Sequence, residues 1–287
     1  MRILILGGDG MLGHRLLGHL QPRHEVRATL HQDLAHYAQL GLFHAGNSIA
    51  GVDVRSDERL RQVLEEFRPE AMVNAVGIVK QRDEAKQAIP SIEINALLPH
   101  RLALLARARG ARLVHLSTDC VFSGRDGHYS ESSPPDAEDL YGRSKLLGEV
   151  GGAGALTLRT SIIGPELSRK AGLLEWFLAQ RGSIRGYRRA IYTGFTTAEM
   201  SRIIETMLVG FPAASGVYHV SSEPISKYHL LCMIRDRLGR SIEILPEDDF
   251  HCDRSLDSGR FRREFGYAPP AWPQMIDELA RELREQA

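Results

Sequence analysis

A tyrosine and a lysine stand four residues apart in Tyr141-Gly-Arg-Ser-Lys145, a spacing that projects both side chains from one face of a helix. A phenol with its pKa near 10 is a poor acid or base at neutral pH unless a neighbouring cation favours its phenolate. Lowering that pKa by about three units takes roughly 4 kcal/mol, and a charge at about 4 Å in an effective dielectric of about 20 supplies an energy of that order. One lysine therefore suffices to make Tyr141 a proton donor. The same spacing also occurs on plain surface helices, so the pair gains meaning from its company. Leu116-Ser-Thr-Asp-Cys-Val-Phe-Ser-Gly124 puts hydroxyls at the carboxyl end of a predicted strand, where a substrate carbonyl would sit.

The elements that must position these groups begin at the N-terminus. Arg2 to Leu6 is a short apolar run suited to a buried parallel strand. Gly7, Gly10 and Gly13 follow at three-residue spacing, and Met11, Leu12, Leu16, Leu17 and Leu20 then recur with helical period. A strand, a glycine turn and a helix in that order aim backbone N–H groups and the positive end of a helix dipole at an anion, and glycines let a pyrophosphate approach closely. The spacing departs from the G-x-G-x-x-G dinucleotide fingerprint, because Asp9 separates Gly8 from Gly10.

Strand and helix alternate over the first 160 residues. The pattern predicts strands at 24–30, 71–76, 112–117 and 155–160. It predicts helices capped by Ser56 or Asp57 and running from Ser91 to Gly110, the second with Pro99 in its middle. Alternation of this kind implies right-handed crossovers and a parallel sheet covered on both faces. The fold class is therefore α/β, a Rossmann-type doubly wound parallel sheet with a small C-terminal substrate-binding lobe. A dinucleotide-binding domain over residues 1–164, to which the segment 190–222 returns, precedes a mainly substrate-binding lobe over 165–287. Ligands of open parallel sheets lie beyond the carboxyl ends of the strands, so the site is expected between lobe and sheet.

Composition narrows the classes. With 36 basic and 36 acidic residues the formal net charge is zero, which steers the chain to neither nucleic acid nor anionic membrane. No run approaches the roughly 18 uninterrupted apolar residues of a membrane helix, and the N-terminus opens on a strand where a signal peptide would carry a basic region. Cys120, Cys232 and Cys252 are odd in number and form no C-x-x-C pattern, which suits a cytoplasmic protein. The twelve histidines show no metal spacing, His14 and His19 lying five apart like His31 and His36, so no metal is assigned.

The glycine turn, Asn74-Ala-Val-Gly77, Asn95, the Ser-Thr-Asp run and the Tyr141/Lys145 pair agree in order and spacing with one family. The chain resembles an extended short-chain dehydrogenase/reductase, most closely the branch that contains dTDP-4-dehydrorhamnose reductase. The likeness extends through Leu158-Arg-Thr-Ser161, Gly194-Phe-Thr-Thr-Ala-Glu199 and Leu256-Asp-Ser-Gly-Arg260, and so over nearly the whole chain. It implies NAD(P)H-dependent reduction of the 4-keto group of a nucleotide-linked deoxysugar, in polysaccharide or deoxysugar biosynthesis. A nucleotide-sugar epimerase or dehydratase, or a non-catalytic NADP-binding regulatory subunit, is the alternative.

On this resemblance Thr118 polarises the keto oxygen, Tyr141 gives the proton, and Lys145 tunes the phenol while binding the nicotinamide ribose. Gly7, Gly10, Met11 and Leu12 would hold the pyrophosphate, Asp53 and Val54 the adenine, and Ala75, Val76 and Gly77 the cofactor edge. Asn95 would support the site. Asp119, Cys120, Arg159, Thr196 and Arg254 would face the substrate. Cys120 departs from the family, whose reductases usually have tyrosine there, and leaves room for a different sugar substituent. The second strand lacks the terminal acid that binds a ribose 2′-hydroxyl, while Arg27 or His31 could meet a 2′-phosphate, which favours NADP(H) over NAD(H). Arg169, Lys170, Arg181, Arg185, Arg188 and Arg189 are further candidates for a substrate diphosphate. The expected ligands are a nicotinamide dinucleotide and a nucleotide sugar, with no nucleic acid or membrane, and a homodimer is left open.

Overall fold

The computed structural model describes residues 1–79, 86–168 and 170–285. In chain order its elements begin with β1 (Arg2–Leu6), α1 (Gly13–Leu20), β2 (Glu25–Thr29), β3 (Ser48–Ile49), α2 (Asp57–Phe67) and β4 (Ala71–Asn74). Then come α3 (Ala88–Ser91), a π-helical stretch (Ile92–Leu97), α4 (Leu98–Ala108), β5 (Arg112–Thr118), α5 (Leu140–Leu147) and β6 (Ala155–Thr160). The later chain supplies β7 (Ile162–Ile163), α6 (Leu173–Ala179), β8 (Ser183–Tyr192), β9 (Phe195–Thr196), α7 (Thr197–Gly210), β10 (Gly216–His219) and β11 (Ile225–Ser226). It ends with α8 (Lys227–Leu238), β12 (Glu243–Asp253), α9 (Gly259–Phe265) and α10 (Trp272–Glu285).

The central sheet has seven strands in the order β10-β6-β5-β4-β1-β2-β3. Strand β1 runs parallel to β2 and β4, β2 to β3, and β4 to β5, the doubly wound arrangement expected from the alternation of elements. Its order reverses at β1, so the glycine turn that follows β1 lies at the switch point where such sheets bind ligands. Leu4 and Leu6 from one face of β1 join Met72, Leu113, four side chains of α2 (Leu60, Val63, Leu64, Phe67) and four of α4 (Leu98, Leu102, Leu105, Ala106) in one core. Helix α2 begins where Ser56 accepts from Arg59 N at 3.2 Å and ends where Arg68 turns left-handed ahead of Pro69. Among the described residues no helix is long and apolar enough to cross a membrane.

The chain divides into two compact units, one of residues 1–117, 139–158 and 200–217, the other of 118–138, 159–199 and 218–287. The second unit contains a three-stranded sheet in the order β11-β8-β12. Strands β8 and β12 run parallel with a bulge between Glu247 and His251. The sequence pattern assigns no element to either strand of this pair, because the alternation of β8 breaks at Tyr187, Arg188 and Arg189, three exposed residues in a row, and β12 is exposed over most of its length. Arg185 meets Glu247 at 2.8 Å, and Arg188 pairs with Asp248. Leu230, Leu231 and Ile234 form the buried face of α8. Gly186 of β8 admits Tyr228 and Ile244, since a Cβ there would lie 2.8 and 2.7 Å from them.

One polar pair in the first unit is fully buried. Asn74 Oδ1 accepts from Val76 N at 3.1 Å, so its amide nitrogen must face His115 Nδ1, also at 3.1 Å. Nδ1 therefore accepts, and the imidazole is neutral with its hydrogen on Nε2. Burial pushes His115 well below the ordinary histidine range, and Lys145 and His100 add to the effect. A histidine depressed in the fold contributes stability above its unfolded pKa of about 6.5 and loses it as pH falls below that value. Urea titrations should show the unfolding free energy declining there by up to about 1.4 kcal/mol per pH unit from this one group. His115→Gln, which cannot titrate, should flatten that part of the slope.

Candidate active site

Backbone geometry explains Gly7 and Gly13 of the first turn. Gly7 has φ of +85°, and a Cβ on it would sit 3.0 Å from the Val76 side chain. A Cβ on Gly13 would lie 1.9 Å from the Gly7 carbonyl oxygen. Gly10 N donates to that same carbonyl at 3.2 Å, and Gly7 N to Thr29 Oγ1 at 3.2 Å. The turn is thus drawn tight against β2 and the segment after β4. Met11 and Leu12 stand just ahead of α1, Leu12 as its N-cap, next to the first turn, where a helix leaves N–H groups unpaired by its own ladder. This cradle fits a pyrophosphate.

In the middle of β2, Arg27 bonds Glu66 at 2.9 Å and stacks over Phe67 at 5.3 Å, so its guanidinium is held on α2. His31 is exposed beyond the strand. Asp53 is held below the usual carboxylate range by its hydrogen bond from Arg55, opposed by burial, with a further contribution from the nearby His31. Val54 packs on the core cluster, and Ala75, Val76 and Gly77 are half-buried after β4.

Helix α5 starts at a built cap, where Asp139 Oδ1 accepts from Gly142 N at 2.8 Å. Tyr141 is half-buried, whereas Lys145 is buried at 5% exposure and donates to the Leu116 carbonyl at 2.6 Å. Burial lowers the Lys145 pKa to about 8, partly offset by Glu149. Asn95 is buried at 1% exposure, and both ends of its side chain are used. Its Oδ1 accepts from Ile78 N at 2.9 Å, while Nδ2 donates to Ile78 O at 3.0 Å and to Ser144 Oγ at 3.2 Å. Ser144 Oγ in turn donates to the Tyr141 carbonyl at 3.0 Å. A Cβ on Gly77 would lie 3.5 Å from Asn95 Oδ1 and 4.0 Å from Lys145 Nζ. Asn95, Gly77 and Lys145 are therefore neighbours in space although they come from three separate stretches of sequence.

The expected bend at Pro99 takes the form of a π turn. Leu98 N donates to Glu93 O, five residues back, and Pro99 stands at the start of the regular helix that follows. Gly148, one residue beyond α5, closes on this wide turn, and a Cβ there would lie 1.9 Å from the Asn95 carbonyl oxygen. Its φ of −88° and ψ of 0° suit other residues too, so the requirement for glycine is steric. Neither Ser144 nor Gly148 stands out in the sequence, since each matters only through what folds against it.

In the second unit Thr118 Oγ1 accepts from Cys120 N at 3.1 Å and donates to Asp119 Oδ1 at 3.2 Å. Asp119 is buried at 8% exposure. Burial raises its carboxyl pKa against the pull of Arg254, of the Cys120 thiol and Thr118 hydroxyl, and of Lys227. Arg254 also donates to the carbonyls of Phe122 and Ser123, at 2.8 and 3.2 Å. These four substrate candidates, Thr118, Asp119, Cys120 and Arg254, therefore gather together.

Arg159 and Thr196 have packing and capping tasks. Arg159 is buried, stacked over Phe122 at 5.5 Å and bonded to His219 at 3.1 Å. Thr196 accepts from Glu199 N at 3.3 Å at the start of α7. Of the lobe cations, Arg185 and Arg188 lie in the ion pairs of β8 and β12, and Arg181 donates to the carbonyls of Leu178 and Gln180. Arg169 lies outside the described residues. Among the described residues no group of three or more His, Cys, Asp or Glu side chains could hold a metal ion.

The family model described as the RmlD substrate binding domain matches residues 1–285. The chain is 24% identical to a dTDP-4-dehydrorhamnose reductase from Aggregatibacter actinomycetemcomitans, over 97% of this chain and 98% of that one. It is 26% identical to methionine adenosyltransferase 2 subunit beta from Rattus norvegicus, over 82% of this chain and 71% of that one. Its fold matches the crystal structure of dTDP-4-dehydrorhamnose reductase from Bacillus anthracis in complex with NADP. That match has a TM-score of 0.79 at 22% identity and covers 98% and 99% of the two chains.

Steric demand at Gly148 is directly measurable. Gly148→Ala should lower the unfolding free energy by about 1–3 kcal/mol, as overpacking against backbone does. Gly18→Ala on α1, where nothing lies within 4 Å of the added carbon, should raise it by about 0.5–1 kcal/mol. Denaturant titration of both variants checks the contrast.

Proposed function

The chain belongs to the family of the RmlD substrate binding domain, and we propose that it reduces the 4-keto group of a nucleotide-linked deoxysugar with a nicotinamide dinucleotide as reductant. The observation that carries this reading is the Asn95 clamp, which ties the turn after β4 to the helix bearing Tyr141 and Lys145. The reductase from Aggregatibacter actinomycetemcomitans, similar over almost its whole length, supports the substrate class. A nicotinamide cofactor held by the glycine turn would supply a hydride to the carbonyl carbon. Everything else is the task of this chain's own residues.

As the carbonyl carbon gains its fourth bond the oxygen becomes an alkoxide, and it needs a proton in the same step. Tyr141 supplies that proton from its hydroxyl, leaving a phenolate that solvent reprotonates. Lys145 favours the phenolate by its charge and binds the nicotinamide ribose. Thr118 donates to the oxygen and stabilises its developing charge. Gly7, Gly10, Met11 and Leu12 hold the pyrophosphate, Asp53 and Val54 the adenine. Ala75, Val76 and Gly77 line the cofactor edge. Asp119, Cys120 and Arg254 face the sugar, and the lobe over 165–287 takes the nucleotide.

NADP(H) is preferred to NAD(H), with the NADP complex of the Bacillus anthracis reductase in support. His31 is the residue to meet the 2′-phosphate, since Arg27 is engaged by Glu66 and Phe67. Three free cysteines suit a reducing, cytoplasmic setting.

A second reading is favoured by the methionine adenosyltransferase subunit, a protein named as a subunit of an enzyme. In that case the chain binds its cofactor as a regulatory partner and turns nothing over. Assaying NADPH oxidation against a panel of 4-keto nucleotide sugars separates the two. Tyr141→Phe keeps the ring and removes one oxygen, so it should lower turnover by about 10²-fold or more with cofactor affinity held. Near-normal turnover in the folded variant would refute the mechanism.

Lys145 sets a pH limit of its own. With its pKa lowered to about 8 by burial, it loses its charge as pH rises through that value. Titration calorimetry should then show NADPH binding several-fold weaker on the alkaline side. Lys145→Met should bind weakly at every pH.

A further inference from the structure

The acid that β2 lacks reaches its end from another part of the fold. In sheets of this kind a carboxylate at the end of the second strand takes the ribose 2′-hydroxyl of the dinucleotide, and the stretch from Arg27 to Gln32 contains none. Gly8 N donates to Thr29 O at 2.9 Å, and a Cβ on Gly8 would lie 2.6 Å from that of Ala28, so the glycine turn is pressed against the last residues of β2. Asp9 comes next, and its Oδ2 accepts from the Tyr37 hydroxyl at 2.9 Å. That hydroxyl accepts in turn from Gln32 N at 3.3 Å. The Asp9 carboxylate is thus tied, through one phenol, to the backbone just past β2.

Tyr37 is a fixed support. It is buried at 5% exposure, with its ring edge-on to Phe43 at 5.5 Å between centroids. A phenol has a single hydrogen to give, and here it goes to Asp9. Asp9 is half-buried, and its Oδ1 receives no hydrogen bond among the described residues. Two other acids close to His31 have tasks of their own. Asp33 Oδ1 accepts from His36 N at 2.9 Å, and Asp53 Oδ2 from Arg55 at 2.8 Å.

Given that the glycine turn seats a nicotinamide dinucleotide, as read above, we propose that Asp9 is a specificity-determining residue: its Oδ1 accepts the adenosine ribose 2′-hydroxyl, and its charge opposes a 2′-phosphate in the same place. Tyr37 is the positioning residue that aims the carboxylate. Asp9 and His31 then act on one group with opposite sign, and the preference for NADP(H) is what the attraction of His31 leaves after Asp9 has opposed it. A bond from Tyr37 to Asp9 that served only to staple the turn would affect both dinucleotides alike, because NADPH and NADH differ at the 2′ position and nowhere else.

Titration calorimetry of the full chain with NADPH and with NADH reads this difference without any turnover. Asp9→Asn keeps an oxygen for the Tyr37 hydroxyl and removes the charge. It should raise the ratio of NADPH to NADH affinity by about tenfold, as removal of one nearby charge in partly wet surroundings does. The gain should shrink at high ionic strength, where exposed charges are screened. Tyr37→Phe keeps the ring against Phe43 and should move the ratio in the same direction, since the carboxylate loses its aim. A ratio in Asp9→Asn within about twofold of wild type overturns the proposal, less than one charge at close range delivers. Equal weakening of both dinucleotides in Asp9→Asn overturns it as well, and a Tyr37→Phe ratio equal to that of wild type overturns the part given to Tyr37. The NADP(H) preference fails separately, if wild type binds NADH the tighter, and binding of neither dinucleotide refutes the cofactor reading together with this inference.

Discussion

A single buried carboxamide holds the first unit's machinery in register. Asn95 completes the backbone of Ile78 on both sides, as a neighbouring strand would, and its remaining hydrogen reaches Ser144 on α5. Each of these groups is shut away from water, where an unpaired donor or acceptor costs about 1–3 kcal/mol. The arrangement is all or nothing, because moving α5 or the turn after β4 breaks several bonds together. Tyr141 and Lys145 inherit their position from that demand. Their own spacing on the helix settles only that they share a face.

The clamp needs a distorted helix to carry it. Pro99 cannot give an N–H to the carbonyl four residues before it, which is that of Asn95. The π turn widens the helix at this place, and Gly148 brings α5 up against the same carbonyl. A residue with any side chain would hold the two helices apart. Stability is thereby given up in the helix and recovered in the contact, and the result is a precise separation between Asn95 and Ser144.

Burial acts on one ionisable group in each unit by the same logic. Lys145 is a cation in a dry setting, and its pKa is lowered to about 8. Asp119 is a carboxyl in a dry setting, and its pKa is raised. Burial moves each toward its neutral form. Arg254 and Lys227 oppose the shift of Asp119, and Glu149 opposes that of Lys145.

The sequence by itself determined the fold class and most of the central sheet. Period and punctuation are local properties, so β1, β4, β5 and β6 could be read directly, as could the caps of α2 and the glycine turn. Tyr141 and Lys145 were legible as a pair on one helix face, and Thr118 and Asn95 as candidates through the resemblance to a family. Tertiary structure alone decided what each candidate touches. It drew Arg27 onto Glu66 and Phe67, placed Arg159 on Phe122 and His219, and made Thr196 a helix cap. It also paired β8 with β12, strands about 60 residues apart whose two-residue period is broken by runs of consecutive exposed residues. Ser144 and Gly148 carry no signal in the sequence, since a hydrogen-bond partner and a steric limit exist only once distant segments have met.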